Sequence, residues 1–228
     1  MSLSTNVPLM FRQLRRAMKD RRARLLRPDL YDDAVQRQRL EELAARISGR
    51  HVAVVGNAQS IFDGESGNDI DRSGLVVRIN RGFVLRPECQ GSRTDVVCLA
   101  TAVSRREIAD RFASAPVICV TPWRWTLSAS LLADRERLSA YPLDAWSALS
   151  ERIGGARPSA GLLAVDMSRT FLKAATVNLY GFDWKATKTF YVSDSKAGHH
   201  DWAAERCLMA EWSAEGWLRL PPGATVVR

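Results

Sequence analysis

Two of the chain's three histidines stand side by side at His199 and His200, and Glu205 follows them. A histidine at the start of a helix, with a carboxylate about a turn and a half further along, has the makings of a general base working near neutral pH. Zinc is the rival chemistry, but adjacent histidines rarely ligate one ion and no third ligand is apparent. A pair of surface histidines is the plain alternative.

A second chemical feature is Arg157-Pro158-Ser159-Ala160-Gly161-Leu162-Leu163-Ala164. Small residues open a helix just after the proline, where the free N–H groups of the first turn and the positive end of the helix dipole form an anion site. Ser159, Ala160 and Gly161 let a phosphate come close, and the alternative is an ordinary N-cap at Ser159. A third lies at Val54-Val55-Gly56-Asn57-Ala58-Gln59-Ser60, an apolar run ending in a tight turn. Gly56 lets the backbone turn sharply, and Asn57 either caps or hydrogen-bonds a ligand. The further glycines of a dinucleotide fingerprint are missing, which argues against NAD. The run Val76-Val77-Arg78-Ile79-Asn80-Arg81-Gly82 ends in two arginines about an Asn. These either hold an anion, or Arg78 pairs with a buried carboxylate inside the strand.

The elements that must carry these residues are short β-branched runs alternating with helical stretches. Strands are expected over 52–55, 75–79, 95–99, 117–121 and 177–180, with a helix over 160–175. Continuous apolar strands interleaved with helices predict an α/β, Rossmann-like doubly wound fold with a mostly parallel sheet, and ligands of such folds bind at strand carboxyl ends. Ahead of this unit, residues 8–25 and 31–48 have helical spacing, with a break around Pro28 and Gly49 as the stop. The organisation expected is a basic helical extension over residues 1–50 and a single catalytic domain over 51–228.

With 228 residues, 46% of them hydrophobic, the chain can bury a sizeable core and is no disordered tail. No apolar run approaches the length of a membrane span. A net charge of +8 points to an anionic partner. Eight of the basic residues crowd into 12–27. The helices there either simply pack on the domain or also lay the first one, over residues 8–27, on an anionic membrane surface. The four cysteines lack zinc-binding spacing; Cys98 and Cys119 sit in apolar runs, and reduced thiols in a cytoplasm are expected.

Read in order, the segments resemble the sialyltransferase family, glycosyltransferase family 29. Val52-Ala53-Val54-Val55-Gly56-Asn57, Ile70-Asp71, Val76-Val77-Arg78-Ile79-Asn80 and Gly91-Ser92-Arg93-Thr94-Asp95 look like its large motif. Pro158-Ser159-Ala160-Gly161-Leu162-Leu163-Ala164 and Leu179-Tyr180-Gly181-Phe182 are similar to its small motif, with about two extra residues between the halves. His200 to Glu205 matches its His-four residues-Glu motif, a spacing that His199 fails. The resemblance covers roughly residues 52–205.

There are departures. The family's two motif cysteines have no counterpart, Ala160 replaces a threonine, and the His-Tyr motif reads Lys188-Thr189-Phe190-Tyr191. The family's Golgi-type anchor and stem are not seen, and a bacterial, cytoplasmic protein, peripheral at the inner face of the inner membrane, is expected.

The resemblance implies a CMP-activated 2-keto sugar acid as donor, sialic acid or 3-deoxy-manno-octulosonic acid, with inversion at the anomeric carbon and a glycan or glycolipid acceptor. It implies lipopolysaccharide or capsule biosynthesis as the setting. It makes His200 the base and has Glu205 orient or support the site. Asn57, Asn80 and the Ser159, Ala160 and Gly161 turn would hold the nucleotide, Phe182 and Asp183 would line the cytosine pocket, and Lys188 would stand in for the lost histidine as a phosphate partner. No cofactor or metal is implied. Asp69-Ile70-Asp71 is formally a DxD but lies inside the large motif, not at a strand end. Trp123-Arg124-Trp125 is a wall for acceptor or donor carboxylate, or a partly buried aromatic pair. The competing readings are a non-catalytic nucleotide- or nucleic-acid-binding module, which lacks a nucleic-acid motif, and a degenerate relative that binds CMP without turnover.

Overall fold

Alternation along the strands sets the architecture. In β1 (His51–Val55) Val52 and Val54 point to one side while Ala53 and Val55 point to the other, and all four are buried. A strand apolar on both sides needs cover on both faces, the condition of a parallel sheet. The computed structural model of the chain describes residues 7–47, 51–103, 105–112, 115–191 and 200–221. Among them are β2 (Leu75–Ile79), β3 (Val96–Leu99), β4 (Val117–Cys119), β5 (Leu138–Ala140), β6 (Thr176–Tyr180) and β7 (Leu218–Arg219). They form one sheet in the order β5-β4-β3-β2-β1-β6-β7, every neighbouring pair parallel. This is an α/β, Rossmann-like doubly wound fold.

The helices in chain order are α1 (Val7–Leu26), α2 (Asp33–Arg46), α3 (Gly67–Arg72), α4 (Pro87–Gln90), α5 (Arg105–Phe112), α6 (Ala129–Leu132), α7 (Leu143–Arg152), α8 (Ala160–Thr170) and α9 (Trp202–Ala214). On one face Leu162, Leu163, Val165 and Met167 of α8 pack on Val52, Val54, Val77 and Val177, flanked by α2, α7 and α9. On the other, Ile61 and Ile70 cover Ala53, Val55 and Val76, and Phe112, Leu127 and Leu131 cover Val97, Leu99, Val117 and Cys119. Cys98 and Cys119 are core residues, and burial pushes both thiols up, Cys119 to about 11.

Several boundaries differ from the sequence expectation for local reasons. A 3-10 turn over Pro28–Tyr31 fills the break, and α2 starts two residues late because the Asp32 carboxylate accepts from Ala34 N and Val35 N. The expected stop at Gly49 lies outside the described residues. Leu40 and Leu43 bring α2 into the main core, and Gln36 ties it to β5 by accepting from Ala140 N at 2.6 Å. Strand β4 ends at Cys119, not residue 121. Helix α8 ends at Thr170, not 175, because Lys173 takes a left-handed φ of 57° and Ala174 N turns back to Ser168 O. Strands β5 and β7 are too short to show a period in sequence.

The chain runs from β1 outward to β5, then returns to β6 on β1's other side. The sheet's switch point is therefore between β1 and β6, and the crevice outside their carboxyl ends is where a ligand fits.

Candidate active site

At the ends of β1 and β6 two glycines let the chains meet. Gly56 N donates to Tyr180 O at 2.7 Å, and Ala58 N to Gly181 O at 3.1 Å. A Cβ on Gly56 would lie 2.4 Å from Gly181 O and 2.9 Å from the Phe182 ring, and one on Gly161 would lie 2.8 Å from the same ring. Gly181 itself sits at φ 65°. The Phe182 ring is thus seated against bare backbone on the wall of a cavity of about 340 Å³.

Asn57 and Asn80 meet across this cavity through a tyrosine. Asn57 Nδ2 donates to Ile79 O at 2.8 Å and to the Tyr191 hydroxyl at 3.2 Å. Its Oδ1 is buried with no hydrogen-bond partner among the described residues. Asn80, at φ 52°, accepts on Oδ1 from Ala100 N at 2.8 Å and also bonds Tyr191. Burial pushes the Tyr191 phenol up, against the pull of its bonds to the Arg81 backbone and the two asparagines. Tyr191 is carried by a segment laced to the β1 turn: Gln59 N donates to Lys188 O at 2.8 Å and Phe190 N to Asn57 O at 3.0 Å.

The cavity's third wall is the start of α8. Ser159 Oγ caps the helix by accepting from Leu162 N at 3.1 Å. The same hydroxyl donates to Glu205 Oε2, and Ser159 N donates to Glu205 Oε1, both at 2.6 Å. Glu205 is 1% exposed, and burial outweighs these bonds and pushes its carboxyl up to about 7. Ser159 is therefore committed to Glu205. Ala160 and Gly161, whose N–H groups no carbonyl of their own helix can reach, line the cavity.

His200 precedes α9, which is capped by the Asp201 carboxylate on Ala204 N. Its Nδ1 lies 2.8 Å from Arg157 O. A carbonyl only accepts, so Nδ1 carries a proton and Nε2 is the basic nitrogen of the neutral ring. The ring sits 5.1 Å from that of Trp202, and both line the cavity. His199 lies outside the described residues.

Asp183 organises the turn after β6. Its carboxylate accepts from Ser60 Oγ, Thr187 N, Thr187 Oγ1 and Lys185 N. That turn places Lys185 on the cavity wall, with Nζ 2.7 Å from Thr189 Oγ1, and leaves Lys188 exposed and outside the lining. A second cation on the wall is Arg157, whose guanidinium lies 4.3 Å over Trp123 and is driven below its ordinary pKa by burial. Trp123 in turn meets Trp146 of α7 edge to face at 6.1 Å.

Other candidates are scaffolding. Arg78 is buried and donates to the carbonyls of Gln90, Gly91 and Arg93 and to the Thr94 hydroxyl, so its hydrogen-bond partners are carbonyls and a hydroxyl and not a carboxylate. Arg124 is buried, donates to Tyr141 O, and does not line the cavity. Asp71 accepts from Ser92 N, Ser92 Oγ and Arg93 N, tying the end of α3 to the loop before β3.

The cavity thus gathers Asn57, Asn80, Ser159, Ala160, Gly161, Phe182, Asp183, His200 and Glu205 from across the chain, and Lys188 stays outside. Sequence reasoning missed Tyr191, Lys185, Arg157, Trp146 and Trp202. Tyr191 was within reach, being the intact half of the altered His-Tyr motif.

No protein-family model matches the chain, and no curated protein is similar to it in sequence. Solved structures share its fold. A mammalian sialyltransferase crystallised with Gal-beta-1-3GalNAc-ortho-nitrophenol is 19% identical over 79% of this chain and 72% of its own, with a TM-score of 0.58. The Campylobacter jejuni sialyltransferase CstII, in complex with the substrate analogue CMP-3FNeuAc, is 12% identical over 75% of this chain and 80% of its own, with a TM-score of 0.52. A variant of that enzyme in complex with CMP gives 11% identity over 75% and 80%, with a TM-score of 0.53.

Proposed function

We propose that the chain is an inverting, metal-independent glycosyltransferase that moves a 2-keto sugar acid, sialic acid or 3-deoxy-manno-octulosonic acid, from its CMP donor to a hydroxyl of a glycan or glycolipid. The observation that carries this is the convergence of the β1 and β6 ends, the bare first turn of α8 and an oriented imidazole on one cavity at the sheet's switch point. The fold likeness to sialyltransferases crystallised with CMP or its sugar analogue supports the same reading.

In this reading CMP lies across the switch point, its base against Phe182 and its ribose and phosphate between Asn57, Asn80 and the α8 turn. The orphaned Asn57 Oδ1 offers an acceptor there. As the acceptor hydroxyl attacks the anomeric carbon from the face opposite CMP, His200 Nε2 takes its proton. The bond from the anomeric carbon to the phosphate oxygen breaks, and that oxygen leaves with the electron pair. The Ala160 and Gly161 N–H groups and the Lys185 ammonium meet the charge on the departing phosphate. A single phosphodiester carries little charge, so these donors suffice. Glu205 does not reach for substrate; it holds Ser159, and with it the α8 turn, against α9.

All four cysteines are free, which suits a reducing cytoplasm, and we place the activity there, in the assembly of a bacterial surface glycan such as lipopolysaccharide or capsule. The test is calorimetric titration with CMP, CDP, UMP, UDP and NAD, with and without EDTA, followed by transfer assays with the two CMP-sugars. CMP-selective binding that ignores EDTA is expected. Preference for a diphosphate with a metal, or no nucleotide binding, would sink the proposal.

A further inference from the structure

The outer face of α1 has no partner among the described residues. Phe11, Leu14, Met18 and Leu25 are 58%, 56%, 64% and 74% exposed. At about 100° per residue these four fall within about 60° of arc. Ala23, the residue by which α1 joins the core, lies about 150° away round the helix. The stripe therefore points away from the protein. Arg21 flanks it on one side and Arg15 and Arg22 on the other, all exposed. Residues 7–26 hold seven basic residues and one acid, so this helix carries six of the chain's eight net positive charges.

We infer that α1 docks flat on an anionic lipid bilayer, its apolar stripe in the acyl boundary and its arginines among the headgroups. The charge chooses the occupant. A second copy of the chain would bring the same six positive charges against these six, whereas an anionic surface neutralises them. Placement agrees. Helix α1 packs on residues 124–126, which follow the carboxyl end of β4, the edge of the sheet where the cavity opens. Trp123, 38% exposed, stands between that contact and Arg157 on the cavity wall. Helix α1 and the cavity therefore lie toward the same carboxyl end of the sheet. With the transferase reading, on which this last step rests, the acceptor is a saccharide held at the membrane surface.

The docking is read without turnover, by co-sedimentation of the full chain with vesicles of phosphatidylcholine alone or mixed with phosphatidylglycerol. The expected result is binding to the mixed vesicles only, weakened by salt. The triple substitution Leu14→Ser, Met18→Ser, Leu25→Ser should lose about tenfold or more in partition. Each of Arg15→Ser, Arg21→Ser and Arg22→Ser should lose roughly fivefold. Because all these side chains are exposed, the melting temperature should be unchanged, and CMP titration of the same variants separates a failed docking from a failed transferase assignment. Absence of binding to mixed vesicles, or equal binding by the triple variant, would overturn the inference. So would a wild-type dimer that the triple substitution dissolves, which would give the stripe to a second copy, or tight nucleic-acid binding without vesicle binding.

Discussion

Replacing Glu205 with Gln isolates one titrating group at the junction of α8 and α9. Burial raises the carboxyl from its ordinary 4.5 to about 7. Below about pH 4.5 both folded and unfolded chains hold this proton. Between there and about pH 7 the folded chain keeps it while the unfolded chain releases it, so stability falls as pH rises through that window. Each pKa unit is worth about 1.4 kcal/mol, which sets a ceiling of about 3 kcal/mol on the loss. Solvent screening takes little from it, because Glu205 is 1% exposed. Gln keeps an acceptor for Ser159 N and does not titrate. Urea unfolding of both proteins at about pH 5 and about pH 8 should show the wild type losing about 2 to 3 kcal/mol relative to Glu205→Gln, at constant m value. Parallel pH curves would refute the reasoning. A wild type that gains stability with pH would show instead that the two Ser159 donors outweigh burial.

Three further outcomes are expected. His200→Ala should cut transfer by about a hundredfold or more while CMP affinity, measured by calorimetry, stays within a few-fold; near-normal transfer would remove His200 from the base role. Gly56→Ala puts a Cβ 2.4 Å from Gly181 O, a backbone atom that cannot swing away. It should cost about 1 to 3 kcal/mol in thermal or urea unfolding and weaken CMP binding, and a neutral result would mean the two strand ends part easily. Lys185→Ala should weaken CMP binding more than Lys188→Ala does, and the reverse order in titration would return the phosphate contact to Lys188.

Strands β1 to β4 were legible because each lies in a mainly apolar run buried on both faces, and β6 because Val177 and Leu179 alternate with half-buried residues, and with them came the parallel sheet and the edge where a ligand sits. Strands β5 and β7 were not, since Leu-Ser-Ala and Leu-Arg offer no continuous apolar run of the kind that marks the equally short β4. The early end of α8 was hidden because a lysine, not a glycine, takes the left-handed position there. In the site, motif order brought Asn57, Asn80, the α8 turn and His200 together. What order along the chain cannot give is which side of a turn a residue faces. The Asp183 carboxylate folds 183–187 so that Lys185 lies along the cavity wall, and a count from the lost histidine lands on Lys188 instead. Nor could spacing reveal that the partner of Glu205 is Ser159, on another helix and 46 residues away, and not His200.

The seat of Phe182 bears on how other chains with this cavity are to be found. Its ring fixes the side chain at two distant places, Gly56 and Gly161, by leaving no room for any, while Gly181 is held by its own backbone angle. Glycine at these three positions and the aromatic immediately after the third thus form one packing unit. In another chain of this fold, three glycines and an aromatic at these places would mark the same close meeting of the two strand ends and the helix start.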